Sequence, residues 1–159
     1  MQQRISRIHV ANYGPPAAWY EGITLDLTDP ASGLPCDTIL NLENGGGKTS
    51  LLSFIFSCIE PAQERFLKHI QDRNHRFVQY FAHDGRPGIC LIEWEMPPQF
   101  AGQPSVRLVT GQAVSVRDAT DAPDRLFFAF QARGDVSFDR FPAARLGSAG
   151  GARNKAEVM

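Results

Sequence analysis

Asn41-Leu42-Glu43-Asn44-Gly45-Gly46-Gly47-Lys48-Thr49-Ser50 is the stretch that decides how this chain is read. A short apolar run (Thr38, Ile39, Leu40) stands in front of it, and a helix-like apolar run over 51–59 follows. Strand, glycine loop, Lys-Thr and helix, in that order, is the layout of a phosphate-binding P-loop. Three consecutive glycines let the backbone curl so that successive N–H groups point inward at phosphate oxygens. In that pattern Lys48 reaches the β- and γ-phosphates and the Thr49 hydroxyl holds Mg²⁺. The dipole of the following helix adds partial positive charge beneath the phosphates. The expected nucleotide contacts are therefore Asn44, Gly45, Gly46, Gly47, Lys48, Thr49 and Ser50, with Thr49 also the metal ligand. One departure stands out: the pattern GxxxxGK[ST] asks for glycine at position 42, where this chain has Leu42. The plainer reading is a glycine-rich turn that happens to precede Lys-Thr.

Upstream of the loop, residues 4–12 read as a first strand, with Ile8 and Val10 on one face and Arg7 and His9 on the other. Tyr13-Gly14-Pro15-Pro16 breaks it, because proline cannot join a ladder and glycine permits a turn. Ile23, Leu25 and Leu27 then alternate with Thr24, Asp26 and Thr28, the period of a half-buried strand running antiparallel to the first. Residues 29–35 form a loop, and residues 37–40 are expected to be a short buried strand that delivers the chain into the glycines.

Downstream, the apolar residues of 51–59 cover more than one helix face, which predicts a helix sandwiched between sheet layers and ended or kinked by Pro61. Phe66, Leu67 and Ile70 suit a second, amphipathic helix over 62–72. The character then becomes β. Residues 77–82 and 89–96 read as a hairpin around the turn 83–88, and residues 105–110 and 112–117 as a second hairpin around Gly111. Residues 125–132 form a very apolar strand, and Val136 and Phe138 a last short one. Residues 147–159 have the composition of a flexible tail or a truncation point. The expectation is an α/β fold in one domain over 1–146: a mixed sheet around a P-loop helix, with the loop at 41–50 and an added antiparallel β lobe over 77–138. The order is not the βαβα alternation of a nucleoside kinase or small GTPase.

Composition bounds the rest. The chain has 159 residues, 43% hydrophobic and 21% charged, enough for one domain with a real core. A net charge of -1 supplies no overall attraction to nucleic acid, so contact with DNA must be local or come from other segments. Cys36, Cys58 and Cys90 are too dispersed for a metal knuckle and odd in number, which suits reduced thiols and a cytoplasmic location. No histidine spacing suggests a metal site. No signal peptide is expected, and no apolar run approaches ~18 residues, so no membrane-spanning helix is expected.

Hydrolysis needs more than a glycine loop. A carboxylate on a second buried strand must help hold Mg²⁺, and a further group must orient water. Ile89-Cys90-Leu91-Ile92-Glu93 superficially has that form, but Trp94-Glu95-Met96 continues the strand, so Glu93 and Glu95 read as outward residues of a β-ribbon. Leu146-Gly147-Ser148-Ala149-Gly150-Gly151 has the look of an ATPase signature motif, yet no Gln follows and the composition is that of a tail. Phe127, Phe128 and Phe130 lack the interleaved basic residues of a base-stacking platform and read as core. Arg65, Lys68, Arg73 and Arg76 are interspersed with Glu64 and Asp72, which suits a solvated helix face rather than a DNA contact.

Taken together, the first strand (Arg4 to Tyr13), Gly22-Ile23-Thr24-Leu25-Asp26 and Asn44-Gly45-Gly46-Gly47-Lys48-Thr49-Ser50-Leu51-Leu52 resemble the start of an SMC-type ATPase head, the structural-maintenance-of-chromosomes class with its RecN-like and condensin-like bacterial relatives. In those proteins the loop carries Asn-Gly-Ser-Gly-Lys-Ser/Thr. Here Gly46 replaces the Ser, and Leu42 and Glu43 replace the usual Gly-Pro. The resemblance covers roughly the first 60 residues and implies an ABC-type head, ATP and Mg²⁺ as cofactors, and residues Asn12, Tyr13 and Gly14 near the base or ribose. It also implies that a C-terminal half-head, returning after a coiled coil, supplies the signature, the Mg²⁺-binding Asp and the catalytic Glu. A second head would complete the sandwich, and DNA would be engaged by the full assembly. No heptad pattern follows Gly147, which implies an N-terminal head segment, whether a truncated gene, a fragment or one piece of a split protein. Two other readings stand beside this one: a stand-alone P-loop phosphotransferase using Glu93, and a non-catalytic β-rich interaction module with a vestigial loop.

Overall fold

The strand that opens the chain is the spine of the molecule. A computed structural model describes residues 2–60, 77–82, 86–98, 100, 102–118, 122–133 and 136–141. Strand β1 (Arg4–Ala11) has β2 (Ile23–Asp26) on one side and β3 (Gly88–Met96) on the other; β4 (Val106–Ser115) and β5 (Asp124–Gln131) complete a five-stranded sheet in the order β2-β1-β3-β4-β5. Every neighbouring pair is antiparallel. Among the described residues one α-helix, α1 (Lys48–Ile59), lies on the sheet. The fold is thus α/β in the broad sense, but the expected mixed sheet is antiparallel throughout the described strands. The expected added antiparallel strands are present as β3, β4 and β5, but β3 pairs directly with β1, so among the described residues they continue one sheet with β1 and β2.

The two sheet faces follow from alternation in β1 and β3. Ile8, Val10, Cys90 and Ile92 point to one face, where they meet Leu51, Phe54 and Ile55 of α1 in the main core. Ile89, Leu91, Val109 and Ala113 point to the other, where Phe138 plugs a smaller core with Phe128, Phe130 and Phe141 around it. A bulge between Ile5 and Arg7 shifts the phase of β1. Ile5 stays with the main core, and Ser6 and Arg7 both turn to the second face. One extra residue in a strand has this effect because side chains alternate strictly with period two.

Helix α1 buries one side only. Leu51, Phe54 and Ile55 are at most 6% exposed, whereas Leu52, Phe56 and Ile59 are 44%, 45% and 50% exposed. The expected sandwich between two layers is not formed among the described residues. The helix ends at Ile59, two residues ahead of Pro61, with the Glu60 N–H closing onto the Phe56 carbonyl. At that end a buried polar knot ties it down. Gln112 donates to Ser57 Oγ and to the Phe54 carbonyl, and Arg125 donates to the Ser57 carbonyl at 3.1 Å and to Gln112 Oε1 at 2.9 Å. Of these, the bond from Arg125 satisfies a carbonyl, that of Ser57, which the helix C-terminus leaves open.

Four further expectations change. Residues 37–40 form no strand: Ile39 is 94% and Leu40 42% exposed, and both flanks of β1 are already filled by β2 and β3. Phe77–Tyr80 is a 3₁₀ turn rather than a strand. The turn brings the Phe77 and Phe81 rings to 5.0 Å, a separation that an extended chain could not give residues four apart. Residues 105–117 are not a hairpin, because β4 runs straight through Gly111. A Cβ there would stand 2.8 Å from the Cys90 carbonyl and the Phe128 ring, so this glycine serves close strand approach rather than a turn. Val136 makes an isolated bridge to Arg133 instead of a last strand. The helix expected over 62–72, the basic residues 65–76, the turn residues 83–85 and the signature-like run at 146–151 lie outside the described residues, as does the tail.

Candidate functional site: a glycine loop at the start of the helix

Residues 43–47 form a tight turn, the Gly46 N–H donating to the Glu43 carbonyl at 3.0 Å, and the chain passes from it directly into α1. Gly45 and Gly47 take left-handed φ values of 86° and 74°, whereas Gly46 does not. Alternation of hand along successive residues is what turns neighbouring N–H groups toward a common concavity, a nest for an anion. Gly47 is the N-cap and carries no side chain to cap the helix, so the first amides of α1 are left to other acceptors. Glycine is required there twice over: φ is positive, and a Cβ would sit 3.1 Å from Ala18 Cβ, Ser50 Oγ and Tyr20 Oη.

Lys48, the first residue of the helix, folds back across the turn. Its ammonium donates to the Leu42 carbonyl and, at 3.0 Å, to the Glu43 carbonyl. A mobile cation is thereby held at the neck of the loop. Leu42 packs against the main core, which gives the departure from the glycine pattern a physical role: it anchors the approach to the loop in place of the missing strand. Thr49 is exposed on the first helical turn. Ser50 is turned inward, its hydroxyl donating to the Gly47 carbonyl at 2.8 Å. Asn44 is exposed at the tip of the turn.

The segment after β1 runs beside this loop. Tyr13 and Tyr20 form a two-bond backbone bridge, and the Tyr20 hydroxyl donates to the Gly46 carbonyl at 2.6 Å. Tyr20 carries no local signal in the sequence; only its position four residues past a Pro-Pro break sets it apart. Tyr13 itself is fully buried and stacked on Phe54 at 4.2 Å, and burial pushes its phenol well above the ordinary range. Its ring serves the core rather than a base. Asn12, at φ 51°, donates to the Pro87 carbonyl at 3.2 Å.

Glu93 is not an outward ribbon residue. Its side chain is 1% exposed, clasped by Arg7 through Nε at 2.8 Å and Nη2 at 2.9 Å, and by the Ser6 hydroxyl at 2.8 Å. It also lies on the sheet face opposite α1. An acid on that face cannot organise a metal at the glycine loop, which removes the carboxylate that the phosphotransferase reading needed. Among the described residues no group of three or more His, Cys, Asp or Glu is arranged to hold a metal ion. No described helix is long and apolar enough to cross a membrane.

No family model, curated protein or solved structure matches this chain.

Proposed function

We propose that this chain is the ATP-binding N-terminal segment of an SMC-like ATPase. ATP lies with its phosphates over the nest formed by Asn44, Gly45, Gly46, Gly47, Lys48, Thr49 and Ser50. Backbone N–H groups would donate to the phosphate oxygens, the Lys48 ammonium would turn from the Leu42 and Glu43 carbonyls to the β/γ oxygens, and the Thr49 hydroxyl would ligate Mg²⁺. The observation that carries this reading is the alternating-hand glycine turn opening directly into α1 with Lys48 curled over it. An uncapped helix start beneath a nest and a cation is a site for a polyanion. The donors suit phosphate oxygens, and one exposed hydroxyl is what a Mg²⁺ already held by phosphates requires from the loop.

The site is half of an engine. Its Mg²⁺-binding Asp, catalytic Glu and signature motif come from a complementary half-head and a second head, and DNA is engaged by the assembled protein. Residues 37–41 favour such a partner. They are exposed and belong to no helix or strand, and among the described residues no backbone hydrogen bond ties them to another strand. A complementary half-head that paired with this segment would cover Ile39 and Leu40, which are 94% and 42% exposed.

Titration of the chain with labelled ATP tests this. Mg²⁺-dependent binding without turnover is expected. Lys48→Ala removes charge-assisted hydrogen bonds and should weaken binding about tenfold or more. Equal binding by Lys48→Ala, or no binding by a folded sample, would overturn the reading, and turnover by the isolated chain would overturn the half-site.

A further inference from the structure

The peptide between Gly46 and Gly47 joins two glycines of the loop. Both flanking residues lack Cβ atoms, so the plane of this peptide can turn over at little steric cost. Its orientation matters because a trans peptide is planar and holds its C=O and N–H on opposite sides. Whichever way the Gly46 carbonyl points, the Gly47 N–H points the other way. If the carbonyl faced the mouth of the nest, it would repel an anion; if it faces the body of the protein, the Gly47 N–H faces the mouth.

One side chain holds that carbonyl. The Tyr20 hydroxyl donates to Gly46 O at 2.6 Å, across 26 residues of sequence. Tyr20 is itself fixed at two levels. Its backbone exchanges both hydrogen bonds with Tyr13, at 3.2 and 2.8 Å, and its ring packs against the main core. The phenol reaches the loop because Gly47 is bare: a Cβ at 47 would come within 3.1 Å of Tyr20 Oη. The lock and the glycine it needs are therefore one device.

We infer that Tyr20 is a positioning residue for the phosphate loop, holding the Gly46–Gly47 peptide so that the Gly47 N–H faces the bound phosphate. This rests on the nucleotide reading of the loop and adds to it a residue that lies outside the glycine motif. Burial raises the Tyr20 phenol above its ordinary value, so the donor proton is retained throughout the neutral range. The lock contributes through direction more than through strength. A hydrogen bond of this kind is worth a modest amount, but it chooses between a peptide that attracts the ligand and one that repels it.

The test uses Tyr20→Phe in the full chain, which keeps the ring and removes only the donor. Two probes, MgATP and inorganic pyrophosphate, are titrated while the backbone amide spectrum of the ¹⁵N-labelled protein is followed. Affinity for both probes should fall about threefold to tenfold, the range of one hydrogen bond. In the free protein the Gly46 and Gly47 amide signals should shift or broaden while those of Ile8 and Ile92, in the centre of the sheet, stay in place. Thr28→Val removes a comparable hydroxyl bond, Thr28 Oγ1 to Asp26 Oδ1 at 2.6 Å, away from the loop and should leave binding unchanged. Equal binding by Tyr20→Phe and wild type, or amide changes that spread through β1 and β3, would overturn the assignment while leaving the nucleotide reading intact. Failure of the wild type to bind either probe would overturn the nucleotide reading, and the assignment with it.

Discussion

Replacing Glu93 by leucine should destabilise the chain by about 3 kcal/mol, the low end of the cost of breaking a buried ion pair. The low end applies because Arg7 keeps a second partner: its Nη1 donates to Asp139 at 2.7 Å, and its guanidinium lies 4.5 Å over the Phe138 ring. What it loses is a two-pronged carboxylate that is 1% exposed, leaving a cation whose side chain is only 19% exposed. Urea unfolding followed by circular dichroism measures the change. With a slope of ~2 kcal/mol per molar, the midpoint should drop by ~1.5 M. Arg7→Leu combined with Glu93→Leu should recover most of that loss, since two apolar side chains would then extend the small core around Leu91 and Val109. The pH dependence has a definite sign. Burial raises the Glu93 pKa, but hydrogen bonds from Arg7 and Ser6 outweigh it and hold the carboxyl below its usual value. The pair therefore contributes fully above the ordinary glutamate pKa of ~4.3 and loses its contribution as pH falls below that through the folded value. The gap between wild type and Glu93→Leu should narrow in the same window. An unchanged midpoint for Glu93→Leu at neutral pH would mean that the Arg7 clasp does not hold the second face together.

Two further substitutions probe the sheet. Gly111→Ala should cost about 1–3 kcal/mol in the same unfolding assay, because the new methyl meets the Cys90 carbonyl and the Phe128 ring at 2.8 Å; a neutral result would mean that β3, β4 and β5 are less closely packed than described. His9 is half-buried beside Phe138 with Nδ1 2.9 Å from Thr24 Oγ1, and burial lowers its pKa. A base depressed in the folded state contributes stability above its unfolded pKa of ~6.5 and loses it as pH falls, so His9→Gln should flatten the decline of the urea midpoint from pH 7.5 to pH 5.

Much of the architecture could be read residue by residue. Period-two alternation located β1 and β2 and paired them antiparallel, the Pro-Pro break ended β1, and the apolar run after Lys48 marked α1 and its end before Pro61. The continuous apolar run from Ile89 to Ile92 was legible as a strand but not as a pair of faces, because both sides are buried and alternation carries no contrast there. From the sequence Glu93 therefore reads as outward, whereas it is 1% exposed. Gly111 reads as a turn because a lone glycine between two β-like runs signals a turn and close strand packing alike. Residues 37–40 had the right composition for a strand but no open place beside β1. At the candidate site, the loop residues were evident and Tyr20 was not, since a hydrogen bond spanning 26 residues leaves no local pattern.

The chain's own order of residues determined the glycine loop, the lysine after it, the helix behind and the strand periods, because each depends on neighbours a few positions away. Tertiary structure alone decided which acid is buried, which face α1 covers, that the sheet is antiparallel throughout the described strands, and which phenol grips the loop. Those outcomes depend on which strand lies beside which. The bulge at Ser6 shows the reason in one place: a single extra residue turned Ser6 and Arg7 to the second face, where they clasp Glu93 and leave the opposite face to the helix that carries the loop.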